Sequence, residues 1–217
     1  MSPGHHILKL ISEGEHQLLD FKFEISDARK IARSLSAFAN TAGGRLLIGV
    51  KDNGSIAGVR SDEEYYMLDA AANLYCSPVV LFQARQWTVF GKVVLEVTIP
   101  KSNSKPHFAE DPAGRWSAYI RVKDQNFPVN RIQLKVWELE GQAKGVLVKF
   151  TDHEKLLLSY LEENESITFS KFIRLTGLNR YEAEQILIRF ISLRIIGIEY
   201  TENRILYGLL PSADAVR

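Results

Sequence analysis

Residues 37–54, AFANTAGGRLLIGVKDNG, constrain the fold more than any other stretch of the chain. Ahead of them, Ala28, Ile31, Ala32, Leu35, Phe38 and Ala39 recur at helical spacing, which predicts a helix burying one stripe. Ser26 or Asp27 can cap its start, and Gly43-Gly44 stops it. Arg29, Lys30 and Arg33 fall off the stripe, toward water. Arg45 to Val50 is almost continuously apolar, as in a strand buried on both faces. Asp52-Asn53-Gly54 then makes a turn that carries a carboxylate. Upstream, His16 to Ile25 alternates: Leu19, Phe21, Phe23 and Ile25 share one face, and Asp20, Lys22 and Glu24 the other. A strand, a helix and a second strand therefore open the fold.

The same periodicities organise the remainder. A helix is predicted over Glu63–Leu74, ending before Pro78. Strands follow over Val79–Ala84 and Trp87–Ile99, with a turn at Phe90-Gly91-Lys92. Lys101–Pro112 is a polar loop and Ser117–Val122 another strand. Residues 1–140 thus read as one α+β domain with a mixed sheet, and 141–150 as a linker. Helices are predicted over Asp152–Glu163, Thr168–Leu175 and Arg180–Leu193. A hairpin over Ile196–Tyr200 and Arg204–Leu209 follows. Three helices and a hairpin predict a winged helix-turn-helix domain over 151–210, with 211–217 as a tail.

Several function classes are excluded or disfavoured. No apolar run is long enough to span a bilayer, and Met1–His6 lacks the layout of a secretory signal. A cytoplasmic protein without a membrane partner is expected. His5-His6 reads as a loose terminus. The single cysteine, Cys76, rules out an internal disulfide or a CxxC metal site and fits a small buried hydrophobe. A net charge of +1 does not mark a strongly basic nucleic-acid binder, although a local patch can act where the total is neutral. His107 reads as an exposed-loop residue, and His16 and His153 have no partners at ligand spacing. No GxxxxGK[ST] motif occurs, so no ATP is expected.

The chemistry-bearing residues are acidic. Asp20 and Lys22 share a strand face about 7 Å apart, Glu15 precedes that strand, and Asp52 follows the next. Were the two strands neighbours, three carboxylates would meet one lysine. At an effective dielectric near 20, two carboxylates about 5 Å apart repel by about 3 kcal/mol. Such a group needs a cation, a proton or a basic partner, and Mg²⁺ or Mn²⁺ suits oxygen ligands.

Glu15, Asp20-Phe21-Lys22, the AFANTAGG run, Ile48 to Gly54 and Ile56-Ala57-Gly58 together resemble the Schlafen-type AlbA-like domain. Pro106-His107-Phe108 and Ala118 to Val122 fit the same pattern, so the likeness spans roughly residues 10 to 130. It implies nucleic-acid binding, and many bacterial members are described as DNA-binding transcription regulators. Some vertebrate members cleave RNA with two glutamates and an aspartate, at positions matching Glu15, Asp20 and Asp52. Here the second is an aspartate, and Lys51 replaces a common acid. Vertebrate Schlafens pair two related lobes, so a homodimer is expected to supply the second lobe of this single-lobed chain.

Three readings follow. The leading one is a DNA-binding transcriptional regulator, with Lys22, Arg33, Arg45, Lys51 and Arg121 contacting phosphate of DNA or structured RNA. In the winged module, Arg180, Gln185 and Arg189 face the bases, although residues 149–217 hold nine Lys or Arg against ten Asp or Glu. The second is a metal-dependent endoribonuclease, with Glu15, Asp20 and Asp52 holding Mg²⁺ or Mn²⁺ and Lys22 stabilising developing charge. The third is a protein-interaction adaptor.

Overall fold

Pro3–Glu13 forms helix α1, where a loose terminus was expected. Ile7 and Leu10 are buried and Ile11 packs beside them, one apolar stripe at helical spacing. His6 leaves that helix to meet Glu96, Nε2 to Oε1 at 3.0 Å. The computed structural model describes residues 3–140 and 151–211. The expected linker over 141–150 and all but the first residue of the expected tail lie outside the described residues.

Strand β1 (Leu19–Lys22) runs parallel to β2 (Gly44–Ile48), with Asp20 opposite Leu46 and Lys22 opposite Ile48. Helix α2 (Ala28–Asn40) connects them, capped by Asp27, whose Oδ1 accepts from the Arg29 N–H at 2.9 Å. The strand is shorter than the alternation predicted. His16 and Leu19 close a tight turn before it, and Phe23 after it is 38 % exposed. Gly43 ends α2 with φ +73°, and a Cβ there would stand 2.6 Å from the Lys101 backbone nitrogen, so only glycine fits.

Helix α3 (Glu63–Asn73) and the short strand β3 (Cys76–Ser77) follow. Cys76 is buried, and burial pushes its thiol up to about 12. Strands β4 (Gln83–Val89) and β5 (Lys92–Ile99) form the hairpin around Phe90-Gly91. Residues 79–82, expected as strand, stay outside it. Inside the expected 101–112 loop lies β6 (Phe108–Glu110), which pairs with β7 (Trp116–Val122), and β7 pairs with β8 (Gln125–Pro128).

Two four-stranded sheets result, ordered β1-β2-β5-β4 and β3-β6-β7-β8. On one face of the first, α1 packs against Leu19, Phe21, Leu47 and Val94. On its other face, Ile31, Leu35 and Phe38 of α2 meet Leu46, Ile48, Leu95 and Val97. Each such side chain, fully buried, contributes roughly 1.5–3 kcal/mol. The far side of α2 is polar and is clipped to the second sheet. Ser36 Oγ and Asn40 Nδ2 both donate to the His107 carbonyl, and the His107 N–H donates to Asn40 Oδ1, each at 2.8 Å. Asn40 Nδ2 also reaches the Tyr119 carbonyl at 2.9 Å. His107 is therefore buried, not an exposed-loop residue. Its ring spans Pro78 O and Ser102 Oγ at 2.9 and 2.7 Å.

These elements make one compact unit, Met1–Val129; a second comprises Asn130–Arg217. Helix α4 (Arg131–Glu140), placed by the sequence in the first domain, belongs to the second, because Ile132 and Val136 enter its core. Helices α5 (Asp152–Glu163), α6 (Phe169–Thr176) and α7 (Arg180–Ser192) follow, with the short strand β9 (Ile167–Thr168) preceding α6. Asn179 caps α7, its Oδ1 accepting from the Glu182 N–H at 3.0 Å. Strands β10 (Ile196–Tyr200) and β11 (Ile205–Leu209) form the hairpin, and β9 adds to it as a third antiparallel strand. Leu157, Phe172, Leu187, Phe190 and Tyr207 fill the core.

Candidate nucleic-acid interface

The structure brings Glu15, Asp20 and Lys22 together. Asp20 is 3 % exposed, although strand alternation put it on the polar face. Its face of β1 is the one turned toward α2, since its parallel partner Leu46 belongs to the α2 core. Lys22 Nζ lies 2.9 Å from Asp20 Oδ2, and Glu15 Oε1 accepts the Phe21 N–H at 2.8 Å. Burial, reinforced by the adjoining Asp20 carboxylate, raises the Glu15 carboxyl above its usual 4.5, with the Phe21 N–H and Lys22 opposing.

Arg121, expected at the surface, is instead the internal counter-ion of this group. It is 1 % exposed. Nη2 donates to Asp20 Oδ1 at 3.2 Å and to the Leu19 carbonyl at 3.0 Å. Nε donates to the His16 carbonyl and Nη1 to Asn126 Oδ1, at 3.1 and 3.2 Å. The guanidinium rests 4.8 Å above the Phe38 ring. A cation so enclosed reaches no phosphate. The alternation of β7 alone could not show this, because three of its acceptors, on His16, Leu19 and Asp20, lie about a hundred residues earlier in the chain.

Asp52 does not join them. It is exposed in the turn where the Lys51 N–H donates to Ser55 O and Gly54 N–H to Lys51 O. No hydrogen bond or ion pair links it to Glu15, Asp20 or Lys22. Among the described residues no three His, Cys, Asp or Glu side chains gather as metal ligands would. Two acids facing two cations are already neutral, so the three-carboxylate Mg²⁺ or Mn²⁺ site does not fit this arrangement.

The remaining basic residues divide into paired and unpaired. Arg45 Nε lies 3.2 Å from Glu96 Oε1. Arg180 Nε is 3.2 Å from Glu184 Oε1, and Arg189 Nη1 is 2.6 Å from Glu154 Oε1. Gln185 is exposed on α7. Lys51 Nζ sits 5.4 Å from the centre of the exposed Phe23 ring, with Arg60 at 5.6 Å from the same ring. On α2, one turn apart, Arg29 stands 4.4 Å over Tyr75 and Arg33 5.9 Å over Tyr119. Neither has an ion-pair partner among the described residues. Both Nε atoms are buried without a hydrogen bond. The sequence marked Arg33 as a phosphate contact but not Arg29, whose i, i+4 spacing to Arg33 was the available signal.

A helix set between two four-stranded sheets, with charge gathered along its exposed side and along β1, defines a mixed α+β domain of the AlbA-like kind. The family model for Schlafen, AlbA_2 matches residues 15–130, just over half of the chain, and the chain belongs to that family. No curated protein matches it. Among solved structures it is similar to a Corynebacterium diphtheriae protein, at 21 % identity and TM-score 0.48 over 88 % of this chain. The chain spans 41 % of that protein's length. It is also similar to the N-terminal domain of a Nitrosomonas europaea protein related to the ATP-dependent DNA helicase RecG. That likeness has 17 % identity and TM-score 0.40, covering 70 % of this chain and 97 % of the other. No described helix is long and apolar enough to cross a membrane.

Proposed function

We propose that the protein binds nucleic acid through the α2 face of its first unit and acts as a DNA-binding transcriptional regulator. The observation that carries this reading is the pair Arg29 and Arg33. Each guanidinium lies over a tyrosine ring, and among the described residues no carboxylate pairs with either. Cations already ordered and unpaired lose little rotamer freedom on meeting phosphate. Lys51 beside the exposed Phe23 ring adds a cation and a stacking face in the same unit. Membership of the Schlafen, AlbA_2 family and the DNA-helicase-related neighbour's name agree with the choice of ligand.

The second unit is read as a winged helix that supports this binding, with α7 as the helix offered to the groove and β10–β11 as the wing. A second copy of the chain supplies the second lobe. Fluorescence anisotropy with duplex DNA and with a structured RNA at low salt tests the reading. DNA binding that Arg29→Gln with Arg33→Gln weakens supports it, and binding to neither polymer ends it. Light scattering tests the pairing of copies, and a monomer at micromolar concentration removes that part.

A further inference from the structure

The second unit holds a cluster of arginines that the α2 reading does not use. The starts of α4, α6, α7 and β11 surround an open cavity of about 420 Å³, lined by Arg131, Arg180 and Arg204. Among the described residues a single carboxylate, Glu184, lines the cavity with them; it pairs with two of the three and is 4 % exposed. Arg180 reaches it through Nε at 3.2 Å and Arg131 through Nε at 3.6 Å. Both pairs use the inner edge of the guanidinium. Among the described residues no acceptor takes the Nη donors of either, and Arg204 has no ion pair.

Charge and shape then agree on a ligand class. Three cations less one buried carboxylate leave a formal surplus of two positive charges. Tyr207, at the cavity wall, cannot cancel it: burial pushes its phenol up to about 12, so it stays neutral, accepting from Asn130 Nδ2 at 2.8 Å. Forked guanidiniums match the oxygens of carboxylate and phosphate, and several of them around one space with surplus positive charge favour the phosphate. Phe169, under Arg180 at 5.6 Å, and Ile132 and Ile205 give an apolar wall for the body that carries it.

We infer that this cavity is a phosphate-binding site, taking a phosphate group whose organic portion lies against Phe169. The phosphate has two sources, a free phosphate ester or a phosphodiester of bound nucleic acid, and both present unesterified oxygens to the arginines, with up to two charges on the first and one on the second. The site stands apart from the α2 reading, because a free phosphate reports on it whether or not the first unit binds nucleic acid.

The test titrates the full chain with inorganic phosphate and with adenosine 5′-monophosphate, at ionic strength matched with chloride, following amide shifts by NMR. Saturable shifts are expected at Arg180, Arg204 and Phe169, weakened about tenfold or more in Arg204→Gln. Arg204 is exposed at the hairpin, so this variant keeps the fold. Duplex DNA competing for the same shifts, and bound more weakly by Arg204→Gln, assigns the nucleic-acid source. Saturation by the monophosphate with duplex affinity unchanged assigns the free ester. Linear, non-saturating shifts, or equal affinity in Arg204→Gln and the parent, overturn the site.

Discussion

The β1 cluster and the α2 face both gather charged side chains and use them in opposite ways. At β1, Glu15 and Asp20 meet Lys22 and Arg121, and the charge is settled inside the protein. On α2, Arg29 and Arg33 rest on tyrosine rings, which orient a cation without cancelling it. Position in the sequence does not separate the two. What separates them is whether a carboxylate or an aromatic ring arrives from a distant strand. The basic residues that matter for a polyanion are those the fold holds still and leaves unanswered.

The comparison breaks first at Arg121. Removing it strands the Asp20 carboxylate at 3 % exposure with only Lys22 beside it. Arg121→Met is expected to lower unfolding free energy by about 3–5 kcal/mol in urea denaturation. A loss under about 1 kcal/mol would show that Asp20 is not internally paired in solution. A middle-sized effect tests the other side. Arg29→Gln with Arg33→Gln should weaken DNA binding about tenfold and reduce the salt dependence by about two phosphate contacts. Thermal stability should barely change, and an unchanged salt slope would remove α2 from the interface.

The smallest effect sharpens the β1 side. Because the folded Glu15 carboxyl is raised above 4.5, the folded state holds its proton more tightly than the unfolded chain. The stability this confers is complete below 4.5 and is lost as pH rises through the folded value. Glu15→Gln keeps an acceptor for the Phe21 N–H and removes the titration. It should flatten the stability–pH curve just above 4.5 and leave neutral-pH stability equal or higher. An unaltered curve would show that Glu15 does not titrate there.

Much of the frame was legible because it is local. The α2 stripe, the Gly43 stop, the β2 run and the β10–β11 hairpin follow from spacing within one short window. Helix α1 was missed although Ile7, Leu10 and Ile11 have helical spacing, since one stripe beside a His pair is a weak signal. The site was less legible because its partners are remote. Asp20 and Arg121 are a hundred and one positions apart, and Arg33 and Tyr119 eighty-six. Strand alternation gave Asp20 the wrong environment, because the second face of β1 is covered by α2 and by a strand from the other sheet. Asn40 carried a signal that only structure decodes. Thr41 satisfies a helix-end carbonyl, Oγ1 to Ala37 O at 2.7 Å, whereas Asn40 reaches across to His107 and Tyr119.

That reach has a mechanical consequence. One side-chain amide fastens the end of α2 to the backbone just ahead of β6 and to that of β7, so the helix cannot rock or slide without breaking those bonds. The arginines riding on it are thus mounted on a stiff beam rather than a hinge. If the proposed binding holds, a polyanion arriving there would find its docking points already at their final spacing, and recognition would proceed by collision and selection among rigid shapes instead of by moulding.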